Sequence, residues 1–104
     1  METSTGVARP ADHGPIDICV VGGAGHVGLP LAITFAAQNQ RVLIYDTNRE
    51  VLETIGRGEM PFIEYDAPPI LRNVIGKTLF LSSEISAVSS ARFVIITIGT
   101  PVDE

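Results

Sequence analysis

Residues 16–28 read Ile16-Asp17-Ile18-Cys19-Val20-Val21-Gly22-Gly23-Ala24-Gly25-His26-Val27-Gly28, a β-branched apolar run that breaks at once into glycine. A short, nearly continuous run of this kind suits a strand buried on both faces, as in a parallel sheet. Its second half, Gly23-Ala24-Gly25-His26-Val27-Gly28, has the form G-x-G-x-x-G. Alone that string is weak, because glycine-rich loops are common; what surrounds it decides its meaning. Downstream, residues 26–38 turn helical, with Gly28, Leu31, Ala32, Phe35 and Ala36 spaced by three and four along one stripe. Pro30 falls in the first turn of that helix. There the N–H groups have no intrahelical partner, so a proline is tolerated.

Further out, strands and helices keep alternating. Arg41-Val42-Leu43-Ile44-Tyr45 is a second strand that ends at Asp46. Thr47-Asn48-Arg49-Glu50 has the Thr-x-x-Glu capping-box form, which starts a second helix. Val51, Leu52 and Ile55 are its inner face, and Gly56 or Gly58 its stop. Residues 59–69 carry Pro61, Pro68 and Pro69 and read as a loop. A short helix over 69–75, closed by Gly76, precedes a third strand over 78–82. Residues 84–90 form a short helical connection with Ser83 as N-cap. Phe93-Val94-Ile95-Ile96-Thr97-Ile98 is a fourth strand, apolar almost throughout. Alternation of this kind means βαβ units, a parallel sheet and right-handed crossovers. The fold class is α/β: a Rossmann-type doubly wound parallel sheet, truncated after the fourth strand. Such domains usually have six strands, so this chain is expected to be the N-terminal part of a larger protein. Residues 1–14, broken by Gly6, Pro10 and Gly14, read as a mobile tail, and 15–104 as the domain.

Composition narrows the class. The chain has 104 residues, a net charge of −5 and 45% apolar residues, the profile of one globular domain. No basic excess exists to neutralise phosphates, which argues against a general nucleic-acid or polyanion binder. A single cysteine, Cys19, excludes a disulfide scaffold and a cysteine-rich zinc site. It sits in a buried-strand pattern and reads as a small inert hydrophobe. No apolar run approaches the roughly 18 residues of a membrane span. The first residues lack the apolar core of a signal peptide, which points to the cytoplasm.

The glycine loop now meets its contextual tests. A strand precedes it, a helix follows it, and Asp46 ends the second strand about 20 residues past Gly25. Gly23 permits the tight turn, Gly25 lets backbone approach a pyrophosphate, and Gly28 lets helix and strand pack closely. The helix N-terminus offers N–H groups and a positive dipole end to phosphates. Asp46 can accept hydrogen bonds from both hydroxyls of an adenosine ribose. A 2′-phosphate there would meet like-charge repulsion, so NAD is favoured over NADP. The bland alternatives are a ligand-free strand–helix turn and, for Asp46, a helix-start acid. Arg49, one turn into its helix, reads as a solvated charge.

These residues resemble a family. Residues 19–32 look like the opening of the UDP-glucose/GDP-mannose dehydrogenases, in which G-x-G-x-V-G-L-P-L-A is typical. Residues 93–101, ending in Thr100-Pro101, resemble a second signature of that family. Gly58 to Glu64 resembles its Gly-x-x-Pro-x-x-Glu segment, although Tyr65-Asp66 stands here where the family has Pro-Gly. The resemblance covers residues 16–104. It implies oxidation of the 6-hydroxymethyl of a nucleotide-sugar to a carboxylate, with two NAD and a thioester on a cysteine. It places the cofactor along Gly23, Gly25, His26, Val27 and Gly28, with Asp46 and Thr100 beyond them. The family's catalytic cysteine and lysine have no counterpart before Glu104, so the chain alone is expected to be inactive. The implied partner is a nucleotide-sugar, held by further domains, and the implied assembly a homo-oligomer. The Leu-Pro-Leu-Ala and Thr-Pro-Val-Asp-Glu segments lean towards UDP-N-acetylhexosamines. Rival readings are an NAD-linked oxidoreductase of the 6-phosphogluconate or hydroxyacyl type, and a non-catalytic dinucleotide sensor.

Overall fold

The computed structural model describes residues 14–97. Thr100, and all of the expected tail but Gly14, lie outside the described residues. Four parallel strands form one sheet: β1 (Ile16–Val21), β2 (Val42–Tyr45), β3 (Leu79–Ser82) and β4 (Ala91–Ile96), in the order β3-β2-β1-β4. Val20 stands level with Ile44 on one side and Ile95 on the other, which fixes the register around β1. The direction of winding reverses between β1 and β4. In open α/β sheets that is where a crevice opens at the carboxyl ends of the strands.

The helix α1 (Gly28–Ala37) joins β1 to β2. Two helices, α2 (Arg49–Gly56) and α3 (Ala67–Val74), lie between β2 and β3, and a 3₁₀ segment (Ile85–Ser90) leads into β4. The three helices cover one face of the sheet. Leu29, Ala32 and Ala36 of α1 pack there with Val20, Ile44, Leu52, Ile55 and Leu71. On the other face, Ile16, Cys19 and Leu43 pack under Ala87 of the 3₁₀ segment. The sheet is therefore doubly wound, as its alternation implied.

Local detail moves several boundaries. The buried residues of α1 are Gly28, Leu29, Ala32, Ile33 and Ala36; Leu31 and Phe35 are only half-buried. Residues 28–37 are apolar nearly all round, so spacing alone could not choose between two overlapping stripes. Pro30 does sit in the first turn. The second helix is capped by Asn48, whose side-chain oxygen accepts from the Val51 N–H at 3.2 Å. Thr47 does not serve as the cap, because Asp46 turns the chain one residue later by accepting the Asn48 N–H at 3.0 Å. Helix α3 starts at Ala67, with Pro68 and Pro69 in its first turn rather than before it. No side chain caps the 3₁₀ segment; Ser82, not Ser83, accepts the Glu84 N–H at 3.0 Å. Strand β4 starts two residues early, and it is not buried: Phe93, Val94 and Ile96 are 63%, 46% and 65% exposed. Among the described residues β4 pairs with β1 along one edge only.

Candidate cofactor site

The site is built where β1 ends. Gly22, at φ +81°, turns the chain out of the strand. That backbone is one a side chain rarely adopts. The turn was expected at Gly23, which has no positive φ. A Cβ on Gly23 would instead lie 2.7 Å from the Ile44 side chain, so that glycine serves close packing. The Gly22 N–H donates to the Tyr45 carbonyl at 2.9 Å, which ties the loop to the end of β2. The Gly22 carbonyl accepts the Gly25 N–H at 3.2 Å, and the Gly25 carbonyl accepts the Leu29 N–H at 3.0 Å. Loop and helix thus run into each other without a break. A Cβ on Gly28 would stand 2.5 Å from the Gly22 carbonyl oxygen and 2.8 Å from the Gly23 Cα, so helix and strand touch there.

Gly25 differs from its neighbours. A Cβ there would meet only the Gly22 carbonyl oxygen, at an ordinary 3.5 Å. Among the described residues nothing else fills that side, which leaves bare backbone that a ligand can approach. No side chain caps the N-terminus of α1 and no acid stands in its first turn, so the first turn itself brings no negative side chain to the positive end of the helix dipole.

Asp46 leaves β2 against this loop. One carboxylate oxygen accepts the Ala24 N–H at 3.1 Å, and the other accepts the Asn48 N–H at 3.0 Å. The carboxylate is therefore both a helix-start acid and a tether on the glycine loop. A carboxylate has about four acceptor positions, so roughly two remain for a ligand's hydroxyls. A cleft of about 220 Å³, lined by Val21, Gly22, Tyr45, Asp46 and Thr47, opens beside it. Bare backbone, an uncapped helix end and a half-free carboxylate at one strand edge fit a pyrophosphate and a ribose diol.

The other expected residues divide. His26 is exposed, and its ring stacks on Phe62 with centroids 4.2 Å apart. The structure thus joins it to the segment before α3, where Phe62 rests on the core. Val27 is 69% exposed. Two residues were missed. Phe62 lies in a stretch without periodicity, which gives no signal. Thr97 had one, as the lone polar residue in the apolar run 93–98; its hydroxyl reaches the Gly22 carbonyl at 3.2 Å. Cys19 is fully buried, and burial pushes its thiol up to about 11, a backbone hydrogen bond at Tyr45 acting the other way. That thiol is inert at neutral pH.

A doubly wound sheet with a glycine loop and an acid at the next strand end defines a dinucleotide-binding domain. The comparisons with known proteins make the class specific. Residues 16–104 match the NAD-binding domain of the UDP-glucose/GDP-mannose dehydrogenase family, and the chain belongs to that family. It is 36% identical over 89 residues to a UDP-glucose 6-dehydrogenase of Pseudomonas aeruginosa, covering 84% of this chain and 19% of that protein. It is 34% identical over 53 residues to a UDP-N-acetyl-D-mannosamine dehydrogenase of Escherichia coli K12, covering 51% of this chain and 13% of the relative. A crystal structure of a GDP-mannose dehydrogenase from Pseudomonas aeruginosa superposes with a TM-score of 0.78 at 23% identity, over 86% of this chain and 21% of the other. A UDP-glucose dehydrogenase from the archaeon Pyrobaculum islandicum superposes at 0.76 with 26% identity, over 90% and 22%. The chain thus spans about a fifth of the length of these longer relatives.

Proposed function

We propose that this chain is the NAD-holding part of a nucleotide-sugar 6-dehydrogenase, which oxidises the 6-hydroxymethyl of a UDP-sugar to a carboxylate. NAD, when bound, supplies the hydride acceptor. The chain's own residues bind and orient it. Backbone at Gly25 and the start of α1 receives the pyrophosphate, and Asp46 accepts from the ribose hydroxyls. Its negative charge disfavours a 2′-phosphate. The observation that carries this reading is the Asp46 carboxylate, held 3.1 Å from the Ala24 N–H and so fixed against the glycine loop. The single cysteine, Cys19, is buried in β1 and is no candidate for a thioester nucleophile. Chemistry on the sugar then belongs to other parts of such an enzyme, and the 104-residue chain alone turns over no substrate. The assembled enzyme is proposed to be a homo-oligomer.

Calorimetric titration of the purified chain with NAD and NADP tests the assignment. NAD is expected to bind at least about tenfold more tightly, the worth of a charge-assisted hydrogen bond and a relieved repulsion. Equal affinities, or a preference for NADP, overturn it. NADH production from a UDP-sugar by this chain would overturn the proposed inactivity.

A further inference from the structure

The end of β4 carries a hydroxyl that sheet pairing does not need. The Thr97 N–H donates to the Val21 carbonyl at 2.9 Å, which already continues the ladder between β1 and β4. A valine would do the same and has as good a strand preference. Yet the Thr97 Oγ1 lies 3.0 Å from the Val21 carbonyl oxygen and 3.2 Å from that of Gly22. One hydroxyl proton is shared between the two.

The Gly22 carbonyl is the point on which the loop turns. It accepts the Gly25 N–H, and Gly28 rests against it so closely that a Cβ there would stand 2.6 Å from the Thr97 Oγ1 as well. A glycine peptide is the least restrained in the chain, so its direction has to be set from outside. We infer that Thr97 is a positioning residue of the cofactor site: its hydroxyl holds the Gly22 carbonyl and thereby presets the turn that presents Gly25 and the start of α1. This rests on the reading that the loop 23–28 holds the dinucleotide. A preset loop spends less of its binding free energy on ordering, so the hydroxyl acts on affinity without touching the ligand.

Two variants of the 104-residue chain separate the hydroxyl from the methyl. Thr97→Val keeps the shape and removes the donor, and Thr97→Ser keeps the donor. NAD affinity is read by calorimetry, and amide hydrogen exchange is read without nucleotide at Gly25, with Cys19 and Val20 of β1 as internal controls. Loss of one hydrogen bond predicts a roughly fivefold to tenfold weaker NAD complex for Thr97→Val. Exchange at Gly25 should quicken by a comparable factor while β1 is unchanged, and Thr97→Ser should stay within about twofold of the parent on both readouts. The inference is overturned if Thr97→Val binds NAD or exchanges at Gly25 as the parent does. It is also overturned if exchange quickens equally in β1, which marks plain stability, or if Thr97→Ser is as impaired as Thr97→Val. Should the parent bind no NAD, the cofactor reading fails, and Gly25 exchange in Thr97→Val alone decides the positioning role.

Discussion

Strands β1 and β4 lie side by side in parallel register and are both rich in β-branched residues, but they live in different surroundings. Ile16, Cys19 and Val20 of β1 have no exposed surface, whereas Phe93 and Ile96 of β4 are about two-thirds exposed. The difference is one of cover. β1 has a strand on each side, α1 over one face and the 3₁₀ segment over the other. β4 has one strand neighbour, and the described residues leave much of it bare. An apolar run encodes the capacity to pair; whether it is buried depends on what the rest of the molecule lays over it. The longer relatives, of which this chain spans about a fifth, have far more chain to lay there.

The largest effect that tests this contrast is on stability. Leu43, fully buried beside β1, packs with Cys19 and Ala87. Leu43→Ala should cost about 2–5 kcal/mol in urea unfolding, from lost burial and the cavity left behind. Ile96→Ala, on the exposed strand, should cost about 0.5 kcal/mol or less. Similar costs at the two positions would mean that β4 is covered in solution and would break the comparison.

The next effect lies at the corner where β2 meets the loop. Asp46→Asn removes the charge and leaves one oxygen to serve two N–H groups, those of Ala24 and Asn48. Loss of a charge-assisted bond is worth about 1.5–3 kcal/mol, so NAD should bind roughly tenfold to a hundredfold more weakly. NADP should lose less, since the repulsion goes with the charge. It should still lose something, because the loop is less firmly tied. An unchanged ratio of NAD to NADP affinity, measured by titration, would reduce Asp46 to a structural acid.

Much of this was legible in the chain itself, for local reasons. The β1 run, the glycine loop and Asp46 announce themselves within a few neighbours, so the βαβ unit and its order could be read directly. What could not be read was set by contacts distant in sequence or by ambiguous chemistry. Residues 28–37 are too uniformly apolar to show which face turns inward. Gly22 and Gly23 are identical residues, and only the fold assigns the left-handed turn to the first and the contact with Ile44 to the second. The stack of His26 on Phe62 joins two stretches with no shared periodicity. Thr97 was passed over because a threonine in a strand needs no explanation until its hydroxyl is seen against Gly22.

Two glycines of the loop separate packing from ligand contact, at somewhat smaller cost. Gly28→Ala forces a methyl against the Thr97 hydroxyl and against the Gly22 carbonyl and Gly23 Cα, backbone that cannot easily move aside. Overpacking of this kind costs about 1–3 kcal/mol. Gly25→Ala places its methyl 3.5 Å from the Gly22 oxygen, an ordinary contact, so stability should change by about 0.5 kcal/mol or less. NAD binding should nevertheless fall, because the methyl occupies the bare side of the loop. If both variants unfold at the same urea concentration as the parent, the close seat of α1 on β1 is not what fixes the loop.

The smallest change in folding stability belongs to β4 and carries the sharpest test of its exposure. A free strand edge flanked by exposed apolar side chains is a template for pairing with another chain. Phe93, Val94 and Ile96 supply those side chains, and Arg92 is the sole charge within the strand. The 104-residue chain is therefore expected to associate as its concentration rises, seen as growth in mass by sedimentation. Ile96→Lys places a charge on the exposed face, where desolvation on pairing would be costly. Folding stability should move by about 0.5 kcal/mol or less, because the side chain is already mostly in water. Association should fall sharply. A parent chain that stays monomeric at all concentrations would show that exposed apolar surface on β4 is insufficient to recruit a partner. A variant that associates like the parent would place the contact elsewhere, with the β3 edge next in line.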